Sequence, residues 1–302
     1  MTSPLATESA PFGRVLTAMV TPFTADGTLD LAAAAKVATH LVDAGNDGLV
    51  VSGTTGESPT TTGEEDGQLL SAVLEAVGDR ATIVAGVGTN DTRHSVELTE
   101  QAVRLGAHGL LLVSPYYSKP PQSGIVAHID AVAAAGGDTP IMLYDILGRT
   151  GVQIAEETYD QLQSRRTVLA IKDASGDLAR GARLLANTRF AIYSGDDAIN
   201  LPWLAVGAAG VVSVLGHVAS ATIKAMVEAV DAGDLPRARA LDASTQGLLH
   251  AVMGQTQGAI AAKAALVELG VLSSARVRLP LTAATDEQIA VIRAALAEAG
   301  QL

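Results

Sequence analysis

The hydrophobic positions of this chain recur in a fixed order. A short run rich in Val, Ile and Leu is followed by a cluster of Gly, Ser, Thr or Pro, and then by an Ala-rich stretch of helical length. Each short run is continuous and apolar, as strands covered on both faces require, so the runs predict buried parallel strands. The predicted strands are residues 15–20, 48–51, 81–85, 109–113, 140–144, 167–171, 189–193 and 210–214.

The stretches between these strands carry helix signals. Asp30 precedes an amphipathic Ala, Leu and Val face and Gly45 follows it, as an N-cap and a C-terminal stop would. Eight strand–helix units over about 220 residues are typical of an α/β fold of the (β/α)8 TIM barrel type. A doubly wound sheet is the alternative, but it commonly carries a glycine-rich loop after its first strand, and residues 21–23 here read Thr-Pro-Phe.

The alternation stops after residue 233. Residues 235–253, 258–269 and 285–299 are predicted to be three helices with no strand between them. The chain is therefore divided into a catalytic barrel, residues 1–233, and a C-terminal three-helix extension, residues 234–302.

Composition removes several classes of function. The net charge of −12 offers no basic surface for nucleic acid or an anionic membrane, so neither partner is expected. The absence of cysteine excludes disulfides and thiolate ligands. Residues 1–13 lack a secretory pattern, and no apolar run is long enough to span a membrane, so a cytoplasmic location is expected. No metal-ligand pair or phosphate loop is present, and no metal or cofactor is expected.

In a barrel of this type the active site lies at the C-terminal ends of the strands, which draws attention to Lys172. It follows the apolar run 168–171, and burial there would lower the pKa of its amine and favour attack on a carbonyl. A structural ion pair with the adjacent Asp173 is the alternative. Four of the five tyrosines, all but Tyr159, also lie at or just past predicted strand ends, where core filling would not place them.

Hydroxyl groups near the same rim favour chemistry. The Tyr144 phenol and the Thr55 hydroxyl could relay protons without bringing a permanent charge into a dry pocket. Consecutive amides in the Gly-Thr-Thr-Gly-Glu-Ser loop, residues 53–58, could bind a carboxylate, and Arg149 could bind a second one. The structural alternatives are a core tyrosine, a small-residue turn and a solvated loop cation.

Five motifs now carry a resemblance that extends over essentially the whole chain. They are GTTGESPT at 53–60, SPYYSKP at 114–120, YDILGRTG at 144–151, IKDASGD at 171–177 and SGDDAINLPW at 194–203. Together they resemble the dihydrodipicolinate synthase family, a group of Schiff-base-forming (β/α)8 lyases and aldolases. The strand-end Lys and Tyr are common to the wider superfamily, whereas Thr55 and Arg149 carry the assignment to this subgroup.

The resemblance implies a reaction and roles. Lys172 would form an imine with pyruvate, and Tyr144 would move protons in a relay with Thr55 and Tyr117, with Thr54 in the same catalytic group. Arg149 would hold the carboxylate of L-aspartate 4-semialdehyde, and the product would be 4-hydroxy-tetrahydrodipicolinate, on the diaminopimelate route to lysine. Pyruvate would also contact Thr55, Val212 and Gly195. The family is usually a homotetramer arranged as a dimer of dimers, with Tyr117 supplied by the neighbouring subunit.

Other outcomes stay open at this point. A sugar-acid aldolase would keep Lys172 and Tyr144 but would not need Arg149, and a 2-oxo acid sensor would not need the complete relay. Gly148 and the absence of a proline loosen the Arg149 loop relative to the family pattern. Gly63 and His94 stand where lysine-sensitive members carry His and Glu, so weak or absent inhibition by lysine is expected. Half-inhibition at submillimolar lysine would contradict it.

Overall fold

The computed structural model describes residues 9–302 and contains a closed barrel of eight parallel strands in sequence order. Each strand pairs with the next along the chain, and β8 closes the ring on β1, with Leu16 opposite Val212. The predicted TIM barrel is confirmed. The strands are β1 Val15–Ala18, β2 Gly48–Val51, β3 Thr82–Gly86, β4 Gly109–Val113, β5 Ile141–Asp145, β6 Val168–Asp173, β7 Ala191–Ser194 and β8 Gly210–Ser213.

Helices follow the strands and cover the outside of the barrel. Those of the described barrel region are α1 Leu31–Asp43, α2 Gly63–Val77, α3 Thr92–Leu105, α4 Gln122–Gly136, α5 Leu147–Thr150, α6 Glu156–Leu162, α7 Leu178–Asn187, α8 Asn200–Ala205 and α9 Gly216–Asp231. Asp30 caps α1 through a hydrogen bond from the Ala33 N–H, as predicted. The predicted lack of a secretory signal concerns mainly residues 1–8, which lie outside the described residues.

The C-terminal part of the described chain is helical, as the sequence indicates. It comprises α10 Leu235–Met253, α11 Gly258–Glu268 and α12 Asp286–Glu298. Helix α10 packs against α9, and α11 and α12 pack against α10. The division of the chain at residue 233 stays a prediction, because the extension and the barrel share this packing. Among the described residues, no helix is both long and apolar enough to cross a bilayer.

Two hydrophobic layers follow from the alternation of side chains along each strand. Residues facing outward pack against the helices in a large core. Residues facing inward fill the barrel in a second core that includes Leu16, Val84, Met142, Ala170 and Val212. The interior is thus packed with side chains and is not an open channel.

Several strands extend one or two residues past their predicted C-terminal ends. The sequence predicts that β5 ends at residue 144 and β6 at residue 171, whereas the structure ends them at Asp145 and Asp173. The Asp145 carbonyl accepts a hydrogen bond from the Ala174 N–H at 2.9 Å, so ladder pairing continues through these polar residues. The extension places Tyr144 and Lys172 inside strands, where the sheet fixes their orientation.

Candidate active site

Tyr144 and Lys172 lie opposite each other on adjacent strands at the C-terminal rim of the barrel. Both side chains point inward, and the Lys172 Nζ atom lies 4.3 Å from the centre of the Tyr144 ring. Only 5% of the Lys172 surface is exposed. The sheet therefore holds a buried amine against the face of a phenol ring, in the arrangement that the strand ends predict.

Burial lowers the pKa of Lys172 to about 8. The charge of Arg149 acts in the same direction, and the charge of Asp197 opposes it. At this pKa about one tenth of the amine is neutral at pH 7, and about half is neutral at pH 8. A neutral amine at the end of an apolar barrel is a competent nucleophile for a carbonyl carbon.

The alternative interpretation of Lys172, an ion pair with Asp173, is wrong. Asp173 points out of the barrel and accepts a hydrogen bond from Arg180 at 2.9 Å, and Asp145 accepts one from the same guanidinium at 2.8 Å. Tyr159 donates to Asp145 at 3.2 Å. Arg180 thus neutralises both carboxylates behind β5 and β6, and within residues 9–302 no carboxylate forms a salt bridge with Lys172.

The Tyr144 phenol stays protonated at physiological pH, because burial raises its pKa to about 12. The charge of Arg149 and, to a smaller extent, the Thr54 side chain oppose this rise in the pKa. Thr55 is buried, but the described residues show no contact between its hydroxyl and Tyr144. Of the two threonines, only Thr54 lines the same cavity as Tyr144, and a relay through Thr55 stays a prediction.

The loop that carries these threonines is a compact turn after β2. The Glu57 N–H donates to the Thr54 carbonyl and the Ser58 N–H donates to the Gly53 carbonyl, each at 3.2 Å. The Thr21 hydroxyl holds the turn from β1 by donating to the Gly56 carbonyl at 2.6 Å. In the described part of the chain the amides of Thr54 and Thr55 have no protein acceptor, and of the two residues only Thr54 lines the cavity.

A cavity of about 210 Å³ opens above Tyr144, which suits a small substrate. Among the predicted site residues, Thr54, Tyr144 and Arg149 line it, together with Gly86, Gly88 and Tyr116. Arg149 is not on an open loop, since it lies in the single-turn helix α5, but its side chain is exposed at the mouth.

Predicted site residues that do not line this cavity include Gly195, Val212, Thr55 and Lys172. A Cβ atom placed on Gly195 would lie 3.0 Å from two Lys172 side-chain carbons and from the Ala174 Cβ atom, so a larger residue there would press on the lysine. Val212 is buried in the interior core with Tyr144 and Ala170.

Tyr117 does not enter the cavity of its own chain. Its side chain is 88% exposed, the largest exposure among the hydrophobic side chains of the described residues, and its backbone has a φ of 71°. A non-glycine residue in this left-handed region is uncommon. The loop after β4 therefore projects a tyrosine away from the barrel.

The prediction that strand-end tyrosines do not fill the core is wrong for Tyr193. It lies in β7, and its hydroxyl donates to the Gly13 carbonyl at 2.9 Å and accepts from the Phe12 N–H at 3.2 Å. Its side chain points toward the end of the barrel at which β1 begins, away from the site. Alternation along β7 turns Tyr193 into the barrel interior, where it belongs to the same inner core as Tyr144.

Asp197 is a site neighbour whose role the sequence does not reveal. Its carboxylate accepts hydrogen bonds from Asn200 at 2.9 Å, Ser213 at 2.5 Å, and the backbone N–H groups of Val214 and Leu215 at 2.7 and 2.8 Å. It therefore fixes the end of β8. Its charge raises the pKa of Lys172 without a direct hydrogen bond between the two side chains. Within the described residues, no three His, Asp or Glu side chains converge to form a metal site.

Comparisons with known proteins agree with this architecture. A family model described as the dihydrodipicolinate synthetase family matches residues 11–299. The 4-hydroxy-tetrahydrodipicolinate synthase of Kineococcus radiotolerans is 56% identical over 290 residues, covering 96% of this chain and 94% of that protein.

Solved structures show the same fold. The dihydrodipicolinate synthase of Cyanidioschyzon merolae with lysine bound has a TM-score of 0.93 and 42% identity, covering 96% of this chain and 99% of that one. The chloride-inhibited enzyme of Acinetobacter baumannii complexed with pyruvate has a TM-score of 0.91 and 35% identity, covering 96% of this chain and 99% of that one.

Proposed function

The chain belongs to the dihydrodipicolinate synthetase family, and on that premise we propose that it condenses pyruvate with L-aspartate 4-semialdehyde to give 4-hydroxy-tetrahydrodipicolinate. The observation that carries the proposal is a buried amine, Lys172, held without a salt-bridge partner in the described residues against a protonated phenol, Tyr144. This pair supplies a nucleophile and a proton carrier at one point. The family's reaction is the first dedicated step toward diaminopimelate and lysine.

The first step is imine formation. The neutral Lys172 amine attacks the C2 carbonyl of pyruvate, and the carbonyl oxygen takes up a proton to give a carbinolamine. Loss of that oxygen as water leaves a protonated imine. Tyr144 is the group that can deliver and recover these protons, since its pKa of about 12 keeps a proton on the oxygen between steps.

The second step forms the carbon–carbon bond. Loss of a proton from C3 of the imine gives an enamine, whose C3 attacks the aldehyde carbon of aspartate semialdehyde while the aldehyde oxygen becomes a hydroxyl. The amino group of the semialdehyde then attacks C2 and displaces the Lys172 amine, closing the ring. One water is lost overall, and the lysine is regenerated.

Carboxylate recognition divides between two elements. The amides of Thr54 and Thr55 bind the carboxylate of pyruvate, and Thr54 lines the same cavity as Tyr144. Arg149, exposed at the mouth, takes the carboxylate of the semialdehyde. Two carboxylates are thus bound on opposite sides of the imine.

We further propose that Tyr117 completes the relay of a neighbouring subunit in a homotetramer arranged as a dimer of dimers. An aromatic side chain that is 88% exposed and held in a left-handed backbone conformation supports this role. A tyrosine that does not reach the site of its own chain can contribute to that of a symmetric copy, since a two-fold interface exchanges such contacts reciprocally.

The cytoplasmic location of the protein also stays a proposal.

The test is a coupled assay with pyruvate and L-aspartate 4-semialdehyde. The expected result is turnover that Arg149→Ala reduces through a raised KM for the semialdehyde, by about tenfold to a hundredfold, with the KM for pyruvate little changed. Turnover of a 2-keto-3-deoxy sugar acid that exceeds turnover of the semialdehyde, and that survives Arg149→Ala, would contradict the proposed substrate.

A further inference from the structure

The C-terminal extension reaches the substrate loop through a second buried lysine. Lys263 lies in α11, whose other described positions are almost all small or apolar, and none of its surface is exposed. Its Nζ atom forms an ion pair with Glu57, the last residue of the Gly53–Glu57 turn, and donates to the Arg276 carbonyl at 2.7 Å. A residue more than 200 positions away in sequence thus holds one end of the turn that carries Thr54.

Both carboxylate oxygens of Glu57 are occupied. Oε1 accepts from Lys263, and Oε2 accepts from the backbone N–H of Arg278 at 2.9 Å. The side chain is 1% exposed, so the carboxylate has no route to a substrate in the cavity. Glu57 therefore anchors the turn and takes no direct part in the chemistry.

Arg278 fastens the far side of the same loop. Its guanidinium donates to the Thr60 carbonyl at 2.8 Å and to both oxygens of Glu65 at 2.8 and 2.6 Å. The ring of Phe23 lies under both cations, 4.3 Å from Lys263 Nζ and 4.2 Å from Arg278 Cζ. The extension thus binds the loop at two points, through Lys263 and Arg278, and both cations contact the ring of Phe23.

The anchored residue has a backbone conformation that needs support. Glu57 has a φ of 58°, in the left-handed region that non-glycine residues rarely occupy. Its N–H donates to the Thr54 carbonyl at 3.2 Å, and Thr54 lines the cavity together with Tyr144. The path from α11 to the phenol therefore runs through Lys263, Glu57 and Thr54.

We propose that Lys263 is a positioning residue, which holds Glu57 so that the turn aims the Thr54 hydroxyl at Tyr144 and thereby sets the geometry of proton transfer. This inference rests on the proposed function. It gives the C-terminal extension a role in catalysis beyond covering the barrel. Small displacements of groups around a reacting centre can cost about a hundredfold in rate, so the loss of this anchor has a kinetic signature.

The experiment compares three single variants of the full-length protein: Lys263→Met, Glu57→Gln and Arg293→Met. Arg293 is the matched control, because it forms an ion pair with Glu268 at 2.7 Å within the same extension but lies on its exposed surface. Each variant is assayed below its unfolding transition, verified by circular dichroism. We expect kcat to fall about tenfold or more in Lys263→Met and Glu57→Gln, with the KM for aspartate semialdehyde unchanged, and Arg293→Met to match the wild type.

A purely structural ion pair would lower Tm but leave kcat of the folded protein intact, so unchanged kcat in the folded variants would overturn the inference. An equal loss in Arg293→Met would overturn it as well. If Lys263→Met does not fold, Glu57→Gln, which conserves size, decides by the same criterion. Trapping of pyruvate on wild-type Lys172 by borohydride separates the two proposals, because its failure would refute the reaction itself.

Discussion

Lys172 and Lys263 can be compared directly, because one chain buries two lysines, each against an aromatic ring. Both are buried, both have an aromatic ring 4.3 Å from Nζ, and burial lowers the pKa of each to about 8. They differ in their partners. Glu57 forms an ion pair with Lys263. The carboxylate that raises the pKa of Lys172 is that of Asp197, and it accepts four hydrogen bonds from other groups.

The difference shows that burial alone does not make a lysine a nucleophile. A lysine also needs an amine that no carboxylate holds and a space into which a carbonyl can enter. In residues 9–302 no carboxylate forms an ion pair with Lys172, and its Nζ atom lies 4.3 Å from the centre of the Tyr144 ring, which lines the cavity. Lys263 has neither, because a carboxylate and a backbone carbonyl occupy its donors.

The largest expected contrast is in turnover. Lys172→Met removes the nucleophile and should reduce kcat by about 10⁴-fold or more, whereas the same substitution at residue 263 should reduce it about tenfold. The coupled assay measures both under identical conditions. If Lys172→Met retains more than about one hundredth of wild-type kcat, the amine is not essential, and Lys172 is not the nucleophile.

Removing the Tyr144 hydroxyl makes the surroundings of Lys172 more like those of Lys263. Tyr144→Phe keeps an aromatic face over Lys172, as Phe23 lies under Lys263, but removes the proton carrier. We expect kcat to fall about 10²- to 10³-fold while pyruvate still labels Lys172 slowly. Tyr193→Phe, in the same barrel but directed to its other end, is the control and should stay within about threefold of the wild type. Equal losses in the two variants would indicate damage to the barrel instead of to the relay.

The same substitution should change stability in opposite directions. At pH 7 Lys172 carries the full cost of a buried charge, so Lys172→Met should stabilise the protein by about 2 to 3 kcal/mol. Lys263→Met leaves Glu57 buried without its ammonium partner and should destabilise by about 3 to 5 kcal/mol. Denaturant unfolding measures both values, and Lys263→Met combined with Glu57→Gln should recover most of the loss. Two changes of the same sign would contradict this account.

The smallest expected effect concerns pH. The folded pKa of Lys172, about 8, lies below its unfolded value of about 10.4, so the unfolded chain binds more protons in that window. The stabilising effect of Lys172→Met should therefore be full below pH 8 and fade as pH rises toward 10.4. The rate of imine formation should rise about tenfold from pH 6 to pH 7 and level off above pH 8. A flat profile over this range would contradict the assignment of the nucleophile.

Much of the barrel is predictable from the sequence, because strands covered on both faces have continuous apolar sequences. The ends of β5 and β6 are not, since Asp145 and Asp173 continue the ladder only because Arg180 neutralises them from α7. A local pattern cannot show that a helix will supply this cation. The same missing information makes Asp173 look like a partner for Lys172.

The candidate site shows the same division. Strand-end position and residue type select Lys172, Tyr144 and Arg149, but the choice between Thr54 and Thr55 depends on the backbone of one turn. Lys263 had a visible signal, a single charge within the otherwise apolar segment 258–267. Its partner Glu57 had none, because only the closed fold brings residues so distant in sequence together.

The most direct test is reduction of the protein with borohydride in the presence of pyruvate, followed by digestion and mass spectrometry. The account predicts one carboxyethyl group, on the peptide that contains Lys172, and an unmodified Lys263 in the same digest. A carboxyethyl group on Lys263, or an unmodified Lys172 under conditions of full activity, would contradict it.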